Sequence, residues 1–342
     1  MRIFLLLPGL EEGGVERHVV SLANNLVMLQ HEVFVISNGG RLQERLHKSI
    51  KKINLPVHRK EFFSAMFCAV AISRIVPKNG NSLLHAHSRV PFWIAWLASL
   101  FCKTPWGATC HAEYSRNLAL YPLKKASFCI AVSKSIKKHL GGYLPENNVR
   151  VIPNGIAEPE LFWNKKVLQR KTAKFLFLGR LSTIKGIMFI IEAFSLVFRN
   201  APYLDWLLEI AGEGDIREAL EEYAGELGIA DRVMFLGHVD SPWGLMSNTS
   251  CFLFPSFTEG MPLALLEAMS CGCPIIASDI PSVREVVRNA DTLVRCGDLQ
   301  AWEYAITSVI RGESVPFLEP QGILAQNKMA QQIEEFYQDV LS

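Results

Sequence analysis

The sequence predicts an α/β protein of two doubly wound, Rossmann-like lobes that face each other across a cleft. Short apolar runs alternate with helical patterns along both halves of the chain, which is typical of parallel sheets covered by helices on both faces. The length of 342 residues also favours two domains, because a single core seldom grows beyond about 250–300 residues. Ligands of such sheets bind outside the carboxyl ends of the strands, so we expect the site between the lobes.

The predicted strands are short apolar runs bounded by turn residues. In the first half they are residues 3–7, 32–37, 83–87, 107–111, 128–132 and 149–152. In the second half they are residues 174–178, 206–211, 233–236, 251–255, 274–277 and 292–294. Helical patterns lie between them, at 16–30, 91–101, 186–199, 216–227, 262–269 and 299–311.

The polar stretch 154–172 is the predicted join between the two lobes. The first lobe then spans 1–160 and the second 161–324. Met329, Ile333 and Phe336 recur at helical spacing in the last segment, which indicates an amphipathic helix over 325–342.

Composition and charge narrow the possible classes of protein. Hydrophobic residues make up 49% of the chain and charged residues 20%, which excludes a disordered or fibrous protein. The net charge of +2 divides into +13 for residues 1–170 and −11 for the rest. The basic lobe is expected to favour an anionic surface or ligand. The alternative is charge complementarity between the lobes.

No secretory signal is predicted, and no run reaches the roughly 18–20 apolar residues of a membrane-spanning helix. Residues 62–73 and 91–102 are shorter apolar runs, expected as buried helices, although either could present an apolar face to a membrane surface. The eight cysteines fit no metal or disulfide spacing, so we expect reduced, buried thiols in the cytoplasm.

One loop of the second half joins the predicted strand 251–255 to a helix that starts near Pro262, since proline suits the first helical turn. Backbone N–H groups and the dipole at a helix start favour a phosphate or polyhydroxylated ligand. The carboxylates of Glu259, in the loop, and Glu267, on the helix, can accept hydrogen bonds from vicinal hydroxyls. The alternative is that Glu259 supports the helix start and Glu267 is a solvated helix residue.

A second charged segment, from Gly179 to Gly186, follows the first strand of the second half. Its Arg180 and Lys185 are expected at the same carboxyl edge as Glu259. Two fixed cations there suit a diphosphate. In an otherwise acidic half, an uncompensated basic pair indicates an anionic ligand, whereas the alternative is an ordinary ion pair at a strand end.

The first half carries weaker signals. Gly13 and Gly14 allow a ligand to approach the backbone after the first strand, but they do not form a dinucleotide-binding fingerprint. His87 and His111 each end a predicted strand, where a lone histidine is more often structural than catalytic. A metal at His85 and His87 lacks a nearby carboxylate or cysteine to complete it. The chain also contains no Asp-x-Asp pair that could hold a metal-bound diphosphate.

These motifs occur in a fixed order: Gly13-Gly14-Val15-Glu16, Thr109-Cys110-His111, Ala131-Val132-Ser133, Pro153-Asn154-Gly155-Ile156, Gly179-Arg180 with Lys185-Gly186, and Glu259 with Glu267. Together they resemble the retaining glycosyltransferases of family 4, which have the two-lobed GT-B fold. The resemblance covers almost the whole chain. It implies that the first lobe binds the acceptor, that the second binds a nucleotide-sugar donor, and that the C-terminal helix packs back on the first lobe.

The resemblance also implies a role for each site residue. Arg180 and Lys185 hold the donor diphosphate and stabilise the leaving group, so that no metal or other cofactor is expected. Glu259 contacts hydroxyls of the transferred sugar, Glu267 the ribose, and His111 points towards the sugar. Further donor contacts are expected from Gly13, Gly14, His238, Val239, Gly260, Met261, Pro262 and Leu263.

The segments 85–93 and 109–115 resemble members of the family that build lipopolysaccharide and other cell-surface glycans. The expected activity is therefore transfer of a hexose, from UDP in most similar proteins, to a glycan or lipid-linked acceptor. A basic cluster precedes the apolar run 62–70 and predicts peripheral docking on the inner face of the cytoplasmic membrane. It consists of Arg41, Arg45, Lys48, Lys51, Lys52, Arg59 and Lys60.

Three alternatives stay open at this point. The acceptor could be soluble, with the basic face serving solubility or contact between the lobes. A nucleotide-sugar epimerase or hydrolase with the same fold would convert the donor without any acceptor. The basic half also raises nucleic-acid binding, but no aromatic residues are interleaved with the basic cluster as a stacking platform requires, and no helix-turn-helix or zinc pattern is present.

Overall fold

The structure, a computed structural model, describes residues 1–11, 13–77, 80–144, 148–159, 162–314, 316–322 and 324–342. The chain divides into two compact units. The first comprises residues 1–155 and 324–342, and the second comprises residues 156–323. Each unit is a parallel sheet flanked by helices. The predicted α/β class, with two doubly wound lobes, is therefore confirmed.

The first unit is built on a parallel sheet in which seven described strands run in the order β3-β2-β1-β4-β5-β6-β7. The strands are β1 (Arg2–Leu6), β2 (Glu32–Ser37), β3 (Lys51–Asn54), β4 (Ser82–His87), β5 (Trp106–Cys110), β6 (Phe128–Ala131) and β7 (Val149–Val151). Strand numbers fall from β3 to β1 and then rise from β4 to β7, so the direction of winding reverses between β1 and β4, which pair with each other. This reversal is the switch point of a doubly wound sheet, where a ligand crevice opens.

The edge strand β3 was not predicted from the sequence. Its residues are mostly exposed, so the segment lacks the apolar alternation by which a strand is recognised. Lys51 lies over the ring of Phe34 at 4.8 Å and pairs with Glu32 at 2.5 Å. Lysines on an edge strand also oppose pairing with another chain.

Four described helices belong to the N-terminal part of this unit: α1 (Gly14–Met28), α2 (Phe62–Ile75), α3 (Arg89–Cys102) and α4 (Lys134–Leu140). The expectation that the apolar run 62–73 is buried is wrong for one side of α2. Phe62, Phe63 and Phe67 are 65%, 86% and 61% exposed, and only the opposite side of α2 enters the core. Among the described residues, no helix is both long enough and apolar enough to cross a bilayer.

The second unit repeats the architecture with a sheet in the order β11-β10-β9-β12-β13-β14. After the short β8 (Gly155–Ile156), its strands are β9 (Ala173–Leu178), β10 (Trp206–Ala211), β11 (Val233–Gly237), β12 (Cys251–Phe254), β13 (Ile275–Asp279) and β14 (Val294–Arg295). Its helices are α5 (Ile187–Asn200), α6 (Arg217–Glu226), α7 (Trp243–Asn248), α8 (Leu263–Cys271), α9 (Pro281–Arg284) and α10 (Leu299–Ile310). The sheet order reverses between β9 and β12, which again places a crevice at their carboxyl ends.

The C-terminal helix α11 (Gln326–Leu341), preceded by β15 (Leu324–Ala325), completes the core of the first unit. Its apolar side, which includes Met329, Ile333 and Tyr337, is fully buried with residues of α1 and β1. The hydroxyl of Tyr337 lies 2.5 Å from Nδ1 of His85, a fully buried residue of β4. A segment that is remote in sequence therefore supplies a polar partner inside the first core.

We expect Tyr337→Phe to lower the free energy of unfolding by about 1–3 kcal/mol, because it leaves Nδ1 of His85 buried without its partner. The matched control is Tyr304→Phe, since Tyr304 is 71% exposed and its hydroxyl is expected to contribute within about 0.5 kcal/mol. Urea unfolding of both variants measures the difference. Equal stability of the two variants would show that this buried bond contributes nothing.

Candidate active site

The loop after β9 is fixed to the end of β10 by backbone hydrogen bonds. The amide of Gly179 donates to the carbonyl of Ala211 at 3.0 Å, and that of Leu181 donates to Glu213 at 2.9 Å. A Cβ at Gly212 would lie 1.9 Å from the carbonyl oxygen of Gly179, so the two segments approach as closely as glycine permits. Arg180, between these anchors, is exposed at the carboxyl edge of the sheet.

Gly186 locks the end of this loop against the segment that follows β12. It ends a single 3₁₀ turn, Thr183–Lys185, and adopts φ +70°, a left-handed conformation that favours glycine. A Cβ here would lie 2.2 Å from the carbonyl oxygen of Pro255. The amide of Phe257 also donates to the carbonyl of Ile184 at 2.9 Å. The two predicted motifs of this unit therefore form one packed structure.

Lys185 and Glu259 form an ion pair across that junction, between Nζ of the lysine and Oε1 of the glutamate. The hydroxyl of Ser256 donates to the same oxygen at 3.0 Å. The two charged side chains are only 24% and 12% exposed, so their interaction is less screened by water than that of a surface pair. The expectation of an uncompensated cation is thus wrong for Lys185, because it forms an ion pair with Glu259.

Glu259 is followed by a buried turn, Gly260 to Pro262, that leads into α8. The first turn of α8, starting at Leu263, carries no acidic side chain of its own, so its positive dipole end favours an anionic ligand at the loop. Glu267 lies one turn further along, half-buried. Gly272 ends the helix at φ +78°, in the left-handed conformation that favours glycine at a helix cap.

His238 and Val239 follow β11, at the same carboxyl edge as the preceding groups. Nε2 of His238 lies 3.2 Å from Oδ1 of Asp240. In this unit, the structure therefore brings Lys185 and Glu259 into direct contact, and it places Arg180, His238 and the start of α8 after three strands of one sheet, β9, β11 and β12.

In the first unit, Gly13 and Gly14 lie between β1 and α1. Gly13 is extended, at φ 174°, a conformation that any residue can adopt, so the backbone alone does not require glycine there. Gly14 is the first residue of α1. Both residues follow β1 at the carboxyl edge of the sheet, which is where the sequence predicted them.

His111 belongs to a cluster of histidines at this edge. It follows β5, and its Nε2 lies 3.0 Å from Nδ1 of His87, the last residue of β4. His18 reaches the cluster from α1, with its ring centroid 4.7 Å from that of His111 and 5.5 Å from that of His87. Sequence reasoning gave His18 no role. The feature that could have identified it is its position on the buried side of α1, a helix that starts at the carboxyl edge of the sheet.

Burial determines the charge of these histidines. It lowers the pKa of His18 to about 4 and those of His85, His87 and His111 well below the ordinary value, with repulsion from the neighbouring rings adding to the shift for the latter three. The cluster is consequently neutral near pH 7. Its rings can donate or accept hydrogen bonds there, but they supply no positive charge for a phosphate.

Residues 160–333 match the family described as glycosyl transferases group 1. The chain belongs to this family. Residues 12–158 match Glycosyltransferase Family 4. The two matches cover most of the first sheet and all of the second, so the protein is a glycosyltransferase, and its fold is of the GT-B class.

Similar proteins agree with this assignment. The glycosyltransferase is 30% identical over 316 residues to an uncharacterised glycosyltransferase of Methanocaldococcus jannaschii, covering 81% of this chain and 79% of the relative. It is 29% identical to the UDP-Gal:alpha-D-GlcNAc-diphosphoundecaprenol alpha-1,3-galactosyltransferase of Escherichia coli, covering 86% of this chain and 84% of the relative. The crystal structure of a glycosyltransferase from Rickettsia africae has a TM-score of 0.81 at 21% identity, with 100% of this chain and 98% of that chain covered.

We expect Gly186→Ala to destabilise the glycosyltransferase more than Gly272→Ala does. Both glycines have φ between +70° and +78°, a left-handed conformation that is unfavourable for alanine. Each substitution should therefore lower the free energy of unfolding by about 1–2 kcal/mol. A Cβ at Gly272 meets nothing within 4 Å, whereas one at Gly186 meets the backbone of Pro255, which adds about 1–3 kcal/mol. Chemical unfolding measures both. Equal losses would contradict the packing between the two loops.

The histidine cluster predicts a loss of stability in mild acid. In the unfolded chain His18 protonates near its ordinary pKa of 6.5, and in the folded chain only near pH 4. Its contribution is therefore present above pH 6.5 and falls by on the order of 3 kcal/mol as the pH drops towards 4. Urea unfolding in EDTA should show a shallower pH dependence for His18→Gln than for the wild type or His58→Gln, an exposed control. Identical slopes would contradict the neutral cluster.

Proposed function

We propose that the protein transfers a hexose from a UDP-sugar to a glycan or lipid-linked acceptor, with retention at the anomeric carbon and without a metal, in the synthesis of lipopolysaccharide or another cell-surface polysaccharide. The observation that carries the proposal is the Lys185–Glu259 pair at the carboxyl edge of the second sheet, before the open N-terminus of α8. The similar protein of E. coli is named for a UDP-galactose donor and a diphosphoundecaprenol-linked acceptor.

The donor diphosphate is proposed to bind where cations and helix N–H groups coincide. Lys185 has three donor hydrogens and uses one for Glu259, so it can also donate to a phosphate oxygen. Arg180 adds a planar cation at the same edge, and the turn into α8 adds the backbone N–H groups of Gly260 and Met261, since Pro262 has none and Leu263 donates to the carbonyl of Met261 at 3.0 Å. Departure of UDP builds negative charge on the β-phosphate, which these groups stabilise more strongly than the ground state.

The two glutamates, Glu259 and Glu267, are proposed to accept hydrogen bonds from hydroxyl groups of the donor. Glu259 is held by Lys185 and Ser256 through Oε1, which leaves Oε2 to accept a hydrogen bond from the transferred sugar. Glu267, on α8, would accept from the ribose hydroxyls. The base would lie near His238 and Val239, Gly13 and Gly14 near the phosphates, and the neutral ring of His111 towards the sugar.

We propose that no metal takes part in this transfer. The positive charge that the leaving diphosphate needs is supplied by Arg180, Lys185 and the dipole of α8. The chain also lacks an Asp-x-Asp pair, so a metal-bound diphosphate has no obvious clamp of paired aspartates.

We expect Lys185→Ala, assayed for sugar transfer in excess EDTA, to lower kcat by about 10²–10³, because it removes one preorganised donor from the leaving group. Arg180→Ala should have a similar effect. The matched control is Lys174→Ala, since Lys174 also pairs with a glutamate of this unit, Glu209, at 3.1 Å, but lies near the opposite end of β9.

Wild-type activity in EDTA and near-normal activity of the Lys174 variant support the proposal. Near-normal activity of folded Lys185→Ala would remove the assigned role, and so would complete loss of wild-type activity in EDTA that Mn²⁺ restores. Release of free sugar or an altered UDP-sugar without any acceptor would instead show a hydrolase or an epimerase.

We further propose that the first unit docks on the anionic inner face of the cytoplasmic membrane, where a lipid-linked acceptor is available. Phe62, Phe63 and Phe67 expose one apolar side of α2. Arg59 and Lys60 lie immediately before that helix and are exposed. Apolar area together with basic residues is what interfacial binding requires, at about 1 kcal/mol per basic residue near the surface.

We expect the protein to co-sediment with vesicles that contain anionic lipid and not with neutral vesicles. Replacing Arg59 and Lys60 by Gln should weaken binding about 30-fold, because two charges near the surface are lost. Phe63→Ser should weaken it as well. Tyr203→Ser is the control, since Tyr203 is 76% exposed in the second unit. Equal binding to neutral vesicles would contradict docking.

A further inference from the structure

We propose that His18, His87 and His111 form a binding site for one divalent transition-metal ion of the zinc type. The site shares His111 with the proposed transfer site, but the proposed transfer needs no metal, and metal binding can be measured without donor or acceptor. The three residues come from α1, β4 and the turn after β5. The fold therefore brings together ligands that are 69 and 24 positions apart in the sequence.

The geometry is close to that of a three-histidine site. Each residue offers one ring nitrogen, and the three atoms all lie within 4.8 Å of one another. Zinc–nitrogen bonds of about 2.0–2.1 Å in a tetrahedron place ligand nitrogens about 3.3–3.4 Å apart. The pair of His87 and His111 is already at 3.0 Å, so the adjustment falls mainly on His18. Rotation of imidazole rings about χ2 is soft and can supply it.

The hydrogen bonding of the cluster is incomplete, which points to a missing ligand. Nε2 of His87 is buried without a hydrogen-bond partner among the described residues, and neither ring nitrogen of His18 makes a hydrogen bond of standard geometry there, although Asn154 approaches His18 and acts to raise its pKa. His18 is 4% exposed and His87 is completely buried. Buried polar atoms are nearly always paired, so the buried nitrogens of His18 need an explanation, and an ion bound between Nδ1 of His87 and Nε2 of His111 would satisfy one of them. A metal ion would accept a lone pair from a nitrogen of each residue.

The neighbouring His85 is not a ligand, although its ring centroid is 4.3 Å from that of His87. Its Nδ1 is bonded to Tyr337 and its Nε2 to Thr109, at 2.5 and 2.8 Å. The adjacent pair in the sequence, His85 and His87, is thus not the metal pair. The third ligand comes from α1, which sequence spacing alone does not reveal.

The ligand set also determines which ions should bind. Three uncharged imidazoles suit Zn²⁺, Co²⁺, Ni²⁺ or Cu²⁺, whereas Mg²⁺ and Ca²⁺ prefer oxygen ligands. The imidazoles must be unprotonated to bind, and burial keeps them so near neutral pH. His111, which follows β5 at the carboxyl edge of the sheet, is the least buried of the three residues. The fourth position stays open, as in zinc sites with three protein ligands.

The test is a titration of the untagged full-length chain with Co²⁺, after removal of metals with EDTA and of EDTA by dialysis. The wild type should bind one ion per chain and show the ligand-field absorption of tetrahedral Co²⁺, which Zn²⁺ displaces and Mg²⁺ does not. His18→Gln and His87→Gln should each weaken binding by about a hundredfold or more. The control is His58→Gln, an exposed histidine of the same unit, which should bind as the wild type does.

Thermal unfolding distinguishes a variant that has lost a metal ligand from one that binds poorly because it is not folded. Zn²⁺ should raise the Tm of the wild type and of His58→Gln, because it binds the folded state, and leave the Tm of His18→Gln unchanged. Absence of the Co²⁺ absorption in the wild type would overturn the proposal. Unweakened binding by folded His18→Gln, or equal weakening by His58→Gln, would overturn it as well, because the ion would then be held elsewhere.

Discussion

The ion pair between Lys185 and Glu259 is the interaction on which the proposed chemistry of this glycosyltransferase depends. It joins the loops after β9 and β12, which are neighbours in the sheet, and it is mostly shielded from water. Each group therefore fixes the position of the other before a donor arrives. Preorganised charge of this kind stabilises a transition state without the cost of reorganisation. The close backbone contact at Gly186 holds the two loops in the register that the pair requires.

The fold was predictable because parallel, doubly covered sheets produce continuous apolar runs that are easily read. The edge strand β3 was not predicted, since an exposed lysine-rich strand has no such run. The exposure of one side of α2 was not predicted either. Composition reveals that Phe62, Phe63 and Phe67 are apolar, but which side of a helix is covered depends on tertiary neighbours that a single sequence does not specify.

The candidate site was predictable only in part. The loop after β12 and the cationic segment after β9 were found because strand ends carry unusual charges, but their pairing was not, since 74 residues separate Lys185 from Glu259. The histidine cluster shows the same limit. His87 and His111 end adjacent strands and could be placed at one edge, whereas His18 enters only through the packing of α1 against the sheet. The burial that keeps the cluster neutral is likewise a property of the fold.

The central claim is that fixed cations of the chain, and no metal, bind the β-phosphate of the donor. Calorimetric binding of UDP and of UMP in EDTA tests this claim most directly, because the two ligands differ by that phosphate. For the wild type we expect UDP to bind at least about tenfold more tightly, since a further charged group gains hydrogen bonds to ionised donors. In Lys185→Gln the ratio should approach one. Equal affinities in the wild type, or an unchanged ratio in the variant, would contradict the account.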